Sequence, residues 1–171
     1  MKPKTKVILG FAIFFIAAAS VIGYGYYAEL REPHDFGEFT VEVPLGSEFE
    51  DISSKYDTGG YNFVKSYRCK DKDLTISIFD KNYIENTFET NTGDEIDFGK
   101  TVLEHFLGMK NADINKTSEN ISICTVNQRI GGSIDTDVAG IYNDDKHFII
   151  VEGGDSDFIQ NITNSIKIKN S

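Results

Sequence analysis

The chain has 171 residues, 40% of them hydrophobic and 26% charged, with 2 Cys, 3 Pro and a formal net charge of −10. That length accommodates one globular domain with a short appendage, and the apolar content excludes a wholly disordered chain. The cysteine count excludes a disulfide-dense scaffold and the few prolines exclude collagen-like or low-complexity classes. The acidic balance speaks against nucleic acid as a partner, because phosphate neutralisation needs clustered Lys and Arg.

Lys2, Lys4 and Lys6 lead into a run from Val7 to Tyr27 that holds no charged side chain. Those 21 residues, at about 1.5 Å rise each, match the ~30 Å hydrocarbon core of a bilayer. Main-chain groups in lipid must be satisfied within the segment, so the run predicts a transmembrane helix at 7–27. Tyr24, Tyr26 and Tyr27 fall at its far end, where amphipathic rings favour the headgroup layer. The lysines keep the tail at 1–6 inside, so the chain is expected to be a single-pass cell-membrane protein with its remainder outside the cytoplasm. The rival layout is a secretory signal peptide, with an apolar core Val7–Ile16 and a small-residue site at Ala17-Ala18-Ala19 or Ala18-Ala19-Ser20. Apolar character continues through Val21 and Ile22, past the usual signal core of about 7–15 residues, which favours the anchor. Cleavage would instead release a secreted domain. Gly23 to Ala28 fits G-x-G-x-x-[GA] in letters only, since no amphipathic helix follows it.

Residues 28–37 are polar, contain Pro33 and read as a linker. From residue 33 onward the chain holds 13 Lys and Arg against 25 Asp and Glu, a charge of −12 that favours solubility. The domain is expected at 38–169. Phe39, Val41 and Val43 alternate with polar residues up to Pro44, the period of a half-buried strand. Phe63–Cys69 and Leu74–Phe79 predict two more strands around a charged loop, Lys70–Asp73. After a long polar stretch the period changes: Phe98, Val102, Leu103, Phe106 and Leu107 share one face of a helix over about 98–109, with Asp97 as its N-cap and His105 exposed. Ile121–Val126 predicts a strand, and Thr136–Tyr142 with His147–Glu152 a hairpin around Asn143–Lys146. Asp155 or Ser156 caps a closing helix with the stripe Phe158, Ile159, Ile162 and Ile166. Short loops favour antiparallel pairing, so the expected fold is α+β, an antiparallel sheet of about six strands with two amphipathic helices packed on it.

The opening Phe39-Thr-Val-Glu-Val-Pro-Leu-Gly, the later hairpin and the closing helix Phe158–Ser165 resemble PsbP-like domains over residues 38–169. The resemblance implies a helix laid on an antiparallel sheet and a kinship with non-enzymatic, membrane-peripheral accessory proteins. The tryptophan that many members carry after the Pro-Leu-Gly turn is missing, and no functional residue carries over.

Cys69 and Cys124 are either bridged, which the chain-entropy argument values at roughly 4 kcal/mol, or buried thiols acting as small hydrophobes. Bridging is expected in an exported domain. Asn115-Lys-Thr117, Asn120-Ile-Ser122 and Asn161-Ile-Thr163 fit the N-glycosylation pattern. Acidic groups at Asp71/Asp73, Asp94/Glu95/Asp97, Asp135/Asp137, Asp144/Asp145 and Asp155/Asp157 could supply oxygen ligands, but none has the EF-hand spacing and solvated turns explain them more simply. His34, His105 and His147 are isolated in the sequence, so no metal or other cofactor is expected. Gly131-Gly132-Ser133-Ile134-Asp135 misses G-x-S-x-G at its last position.

The reading that follows is a membrane-anchored extracytoplasmic binding or accessory domain, not an enzyme, whose partners are the membrane and an envelope protein or surface ligand. The alternatives are a small exported hydrolase with a noncanonical acidic site, which needs a deep pocket with converging acids or a His, and a lipid or small-ligand carrier, which needs a cavity between sheet and helix.

Overall fold

The computed structural model describes residues 30–56, 64–88, 95–130 and 133–169. The expected membrane span at 7–27 and the basic tail at 1–6 lie outside this range, and no helix of the described residues is long and apolar enough to cross a membrane.

The described residues form an α+β fold of ten strands, three α-helices and two short 3₁₀ turns. The strands are β1 (Arg31–Asp35), β2 (Phe39–Pro44), β3 (Glu50–Asp51), β4 (Val64–Cys69), β5 (Leu74–Phe79), β6 (Asp113–Lys116), β7 (Ile121–Ile130), β8 (Ser133–Asn143), β9 (Phe148–Glu152) and β10 (Lys167–Ile168). The helices are α1 (Lys81–Phe88), α2 (Glu95–Phe106) and α3 (Ser156–Asn164). Seven strands make one sheet in the order β3-β4-β5-β9-β8-β7-β6, and a small sheet runs β1-β2-β10. Among the described residues these strands pair antiparallel throughout.

Strand β9 sits at the centre of the large sheet, between β5 and β8. Its sequence Phe-Ile-Ile-Val has no polar alternation because it is buried on both faces. Phe148 and Ile150 point to one side, where Phe79, Cys124, Ala139 and Ile141 join them beneath Ile84 of α1 and Phe98, Val102 and Leu103 of α2. Ile149 and Val151 point to the other side, with Leu74 and Ile76, beneath Ile159 and Ile162 of α3 and Phe39, Val41 and Val43 of the small sheet. The large sheet is therefore filled on both faces. Burying side chains of this size contributes roughly 1.5–3 kcal/mol each, which is the main stabilisation open to a domain without cross-links. One polar pair lies inside, the Ser66 and Ser77 hydroxyls bonded to each other at 2.8 Å across β4 and β5.

Turn chemistry explains the connections. The β4–β5 loop is a 3₁₀ turn closed by Asp73 in the left-handed region, φ 46°, a conformation that Asp tolerates better than most residues. Asp155 caps α3, its carboxylate accepting from the Phe158 amide at 2.8 Å.

The structure corrects four expectations. Residues 28–37 are not simply a linker: Arg31–Asp35 pair with β2 as an edge strand, Pro33 is exposed and Phe36 is buried. An edge strand tolerates proline because its outer N–H groups need no partner. Helix α2 begins at Glu95, so Asp97 lies within its first turn and is not the N-cap. The polar stretch after Phe79 contains α1, whose buried anchor is Ile84. Cys69 and Cys124 are both free thiols. Cys69 faces α3 and Cys124 faces α2, on opposite sides of the sheet. Their strands are also four strand spacings apart, about 19 Å, whereas a bridge needs Cα atoms within about 7 Å.

Candidate functional site

One end of the large sheet gathers the C-terminal end of β5, the start of α1, the β8–β9 turn, the start of β4 and the β1–β2 loop. At its centre is the turn Asn143–His147. The Asp144 carboxylate organises it: one oxygen accepts from the amides of Lys146 at 2.8 Å and His147 at 2.7 Å. The same carboxylate lies 3.0 and 3.1 Å from Nδ1 of the His147 ring and accepts from the Tyr142 hydroxyl at 3.1 Å. Burial is the largest single influence on Asp144 and pushes its carboxyl up, but the two amides and the imidazole together hold it below the usual aspartate value. Tyr142 moves the other way, raised by burial first and then by the adjacent Asp144 charge.

The His147 side chain is only 15% exposed, and its Nε2 lies 3.8 Å from the Glu38 carboxylate, which projects from the β1–β2 loop. Glu38 in turn meets Lys65 Nζ at 3.4 Å. On the other flank Lys81 Nζ donates to Asn143 Oδ1 at 2.9 Å and to the Asp144 carbonyl at 2.6 Å. Asp80 caps α1 by accepting from the Tyr83 amide at 3.1 Å, which fixes where Lys81 emerges. Between these groups lie two open grooves of about 410 and 580 Å³ that share Glu38, Asp145, Lys146 and His147.

The arrangement holds an imidazole between two carboxylates at a mixed-charge rim. An Asp–His pair of this geometry can accept a proton, but nucleophilic catalysis needs a hydroxyl or thiol within reach of the free ring nitrogen. Among the described residues, those lining the grooves include no Ser, Thr or Cys. Among the described residues no group of three His, Cys, Asp or Glu side chains could hold a metal ion. The site suits recognition of a polar partner by charge and hydrogen bonding.

Of the sequence-derived candidates, Asp144, Asp145 and His147 fall in this site; the cysteines and the other positions below fall elsewhere. Cys69 and Cys124 are core residues; burial, followed by the Asp113 charge, pushes the Cys124 thiol up to about 11. Asn115 on β6 and Asn161 on α3 are exposed, as a glycan acceptor must be. Asn120 is half-buried and hydrogen-bonded to Tyr142. Asp71/Asp73 and Asp155/Asp157 belong to the β4–β5 turn and the start of α3. His147, isolated in the sequence, proves to be the centre of the site, and its partner Asp144 lies three residues before it in the turn.

A second titratable group lies at the opposite end of the sheet. Glu152 is the last residue of β9, and burial, followed by the charge of Asp137, pushes its carboxyl up to about 7.

No protein-family model matches the chain, and no curated protein matches it in sequence.

Proposed function

We propose that the chain is a membrane-tethered extracytoplasmic binding domain, without catalysis of its own, that offers the rim around His147 to a polar partner such as an envelope protein or surface ligand. The observation that carries this reading is the position of the first strand. Only Ala28, Glu29 and Leu30 separate the charge-free run ending at Tyr27 from β1. A fold that starts so soon after an apolar segment of membrane-spanning length is built to work at a surface, where tethering raises local concentration. The groove lies at the end of the sheet away from Arg31, so a domain standing on its tether turns that rim outward. Filled packing on both faces of the sheet supports a binding role over a carrier role. A PsbP-like build belongs to this reading, supported by the strand running into Pro44-Leu45-Gly46 and by α3 laid on an antiparallel sheet.

Intact mass of the native protein from membrane and soluble fractions tests the proposal. Full-length chain retained in carbonate-washed membranes is the expected result. A soluble chain beginning near Ser20 or Val21 would overturn the tether and make the domain a secreted factor.

A further inference from the structure

We infer that the rim around His147 binds a primary ammonium group, the end of a lysine side chain on a partner protein, between the imidazole Nε2 and the Glu38 carboxylate. The inference rests on the proposed reading of this rim as a binding surface and names the chemistry it takes.

The imidazole is oriented first. Burial pushes the Asp144 carboxyl up, but the Lys146 and His147 amides and the imidazole together hold it below the usual aspartate range. Near neutral pH it is therefore ionised and can only accept hydrogen bonds. Nδ1 of His147, 3.0 and 3.1 Å from its two oxygens, carries the proton between them. In the neutral ring Nε2 then keeps a lone pair, and it faces Glu38 Oε2 across 3.8 Å. That separation is beyond hydrogen-bond length. Two acceptors confront each other with no donor between them.

The lysines nearby are committed to other atoms. Lys65 reaches the second Glu38 oxygen, Oε1, at 3.4 Å. Lys81 donates to Asn143 and to the Asp144 carbonyl, and Lys169 donates to Asp35. Lys146 is exposed. Among the described residues neither Nε2 of His147 nor Oε2 of Glu38 receives a hydrogen bond.

An ammonium nitrogen seated about 2.9 Å from both atoms supplies the missing donors. Its charge fits as well. The groove of about 580 Å³ sets the carboxylates of Glu38, Asp144 and Asp145 against the ammoniums of Lys146 and Lys169, the second of which is already neutralised by Asp35. Half-buried Ile168 in the same wall gives the alkyl stem of a lysine an apolar surface to lie along. A guanidinium fits less well, because its fork matches the two oxygens of one carboxylate rather than atoms 3.8 Å apart. At longer range the charge of −12 from residue 33 onward draws basic partners to the domain.

The full chain, isotopically labelled on nitrogen and held in neutral detergent micelles, would be titrated with acetyl-Gly-Lys-Gly-amide while NMR follows the His147 ring nitrogens. The expected result is a saturable shift of Nε2 with Nδ1 still protonated. The response should be several-fold weaker with the arginine peptide and absent with the trimethyllysine peptide, which keeps the charge but has no N–H to donate. Glu38→Gln, at an exposed position, should weaken the lysine response about tenfold with the amide spectrum of the fold unchanged. Equal binding of all three peptides would reduce the site to general charge attraction and overturn the inference. A response to a neutral oligosaccharide, with none to lysine, would overturn it in favour of a carbohydrate. A ring that ignores lysine in protein that is retained by washed membranes would overturn the ammonium site while leaving the tethered-domain reading standing.

Discussion

The two faces of the large sheet are closed by different means. The face under α1 and α2 is filled by bulky side chains, and the rings of Phe98 and Phe148 meet edge-on with centroids 4.9 Å apart. The face under α3 is closed by near approach of backbone. Gly140 of β8 lies directly beneath Thr163, and a Cβ there would collide with the threonine hydroxyl. Thr163 spends that hydroxyl on the Ile159 carbonyl at 2.7 Å, and Ser165 Oγ accepts from the Glu42 amide at 2.9 Å, fastening α3 to the small sheet. Volume secures the first face and shape the second, so the two should fail in different ways.

The largest effect is expected from Phe148→Ala, which opens a cavity under α2 and should destabilise the domain by about 4 kcal/mol. Chemical denaturation gives the loss. Hydrogen exchange should show it first in α2, with α3 still protected; equal loosening of both helices would erase the distinction between the faces. Gly140→Ala makes the opposite error, adding one methyl where none fits, and should destabilise by about 3 kcal/mol. Adding Thr163→Ala in the same chain removes the colliding oxygen and should restore part of the loss. A double-mutant cycle showing no coupling would mean that α3 is not held by that close approach.

The third test concerns the rim of the α2 face. A carboxyl held near 7 in the folded chain and near 4.5 in the unfolded one is neutral only in the fold between those values, so stability falls as pH rises through that window and levels off above it. Glu152→Gln should therefore stabilise the protein by about 2 kcal/mol at pH 8, a value discounted for partial exposure, and change little near pH 4. Urea midpoints at the two pH values check it; an equal shift at both would assign the effect to packing. Asp144 has the reverse sign: depressed in the fold, its contribution is present above the ordinary aspartate range and fades as acid protonates it. The smallest change is Asp155→Ala, which removes the cap of α3 and should lower stability by about 1 kcal/mol, seen as fraying of the helix start alone.

The parts of the fold legible in the sequence are those where one chemical pattern decides the outcome. β2 alternates strictly, β4 and β5 are rich in β-branched and aromatic residues around a charged turn, and α3 carries both its cap and its apolar stripe. The parts that were not legible depend on neighbours distant in sequence. β1 is polar and contains Pro33, yet it becomes a strand because β2 offers it an edge. β6 reads Asp-Ile-Asn-Lys and is defined only by its pairing with β7. The cysteines each sat in a correctly placed strand, but the strand order, which no local pattern encodes, put them on opposite faces. The site was half visible. An Asp and a His three residues apart across a hairpin turn can meet, and that local signal was present in Asp144 and His147. Glu38 joins them from a loop more than a hundred residues earlier, and only the assembled sheet brings it there.

The separation of the two thiols bears on how the protein is made. A domain whose cysteines lie on opposite sides of a filled sheet has no native disulfide to acquire and no oxidase to wait for. Its maturation ends when the chain has collapsed and paired its strands. Reductant should therefore leave its refolding yield unchanged, and it should be obtainable from a reducing cytosol in the same conformation as under oxidising conditions.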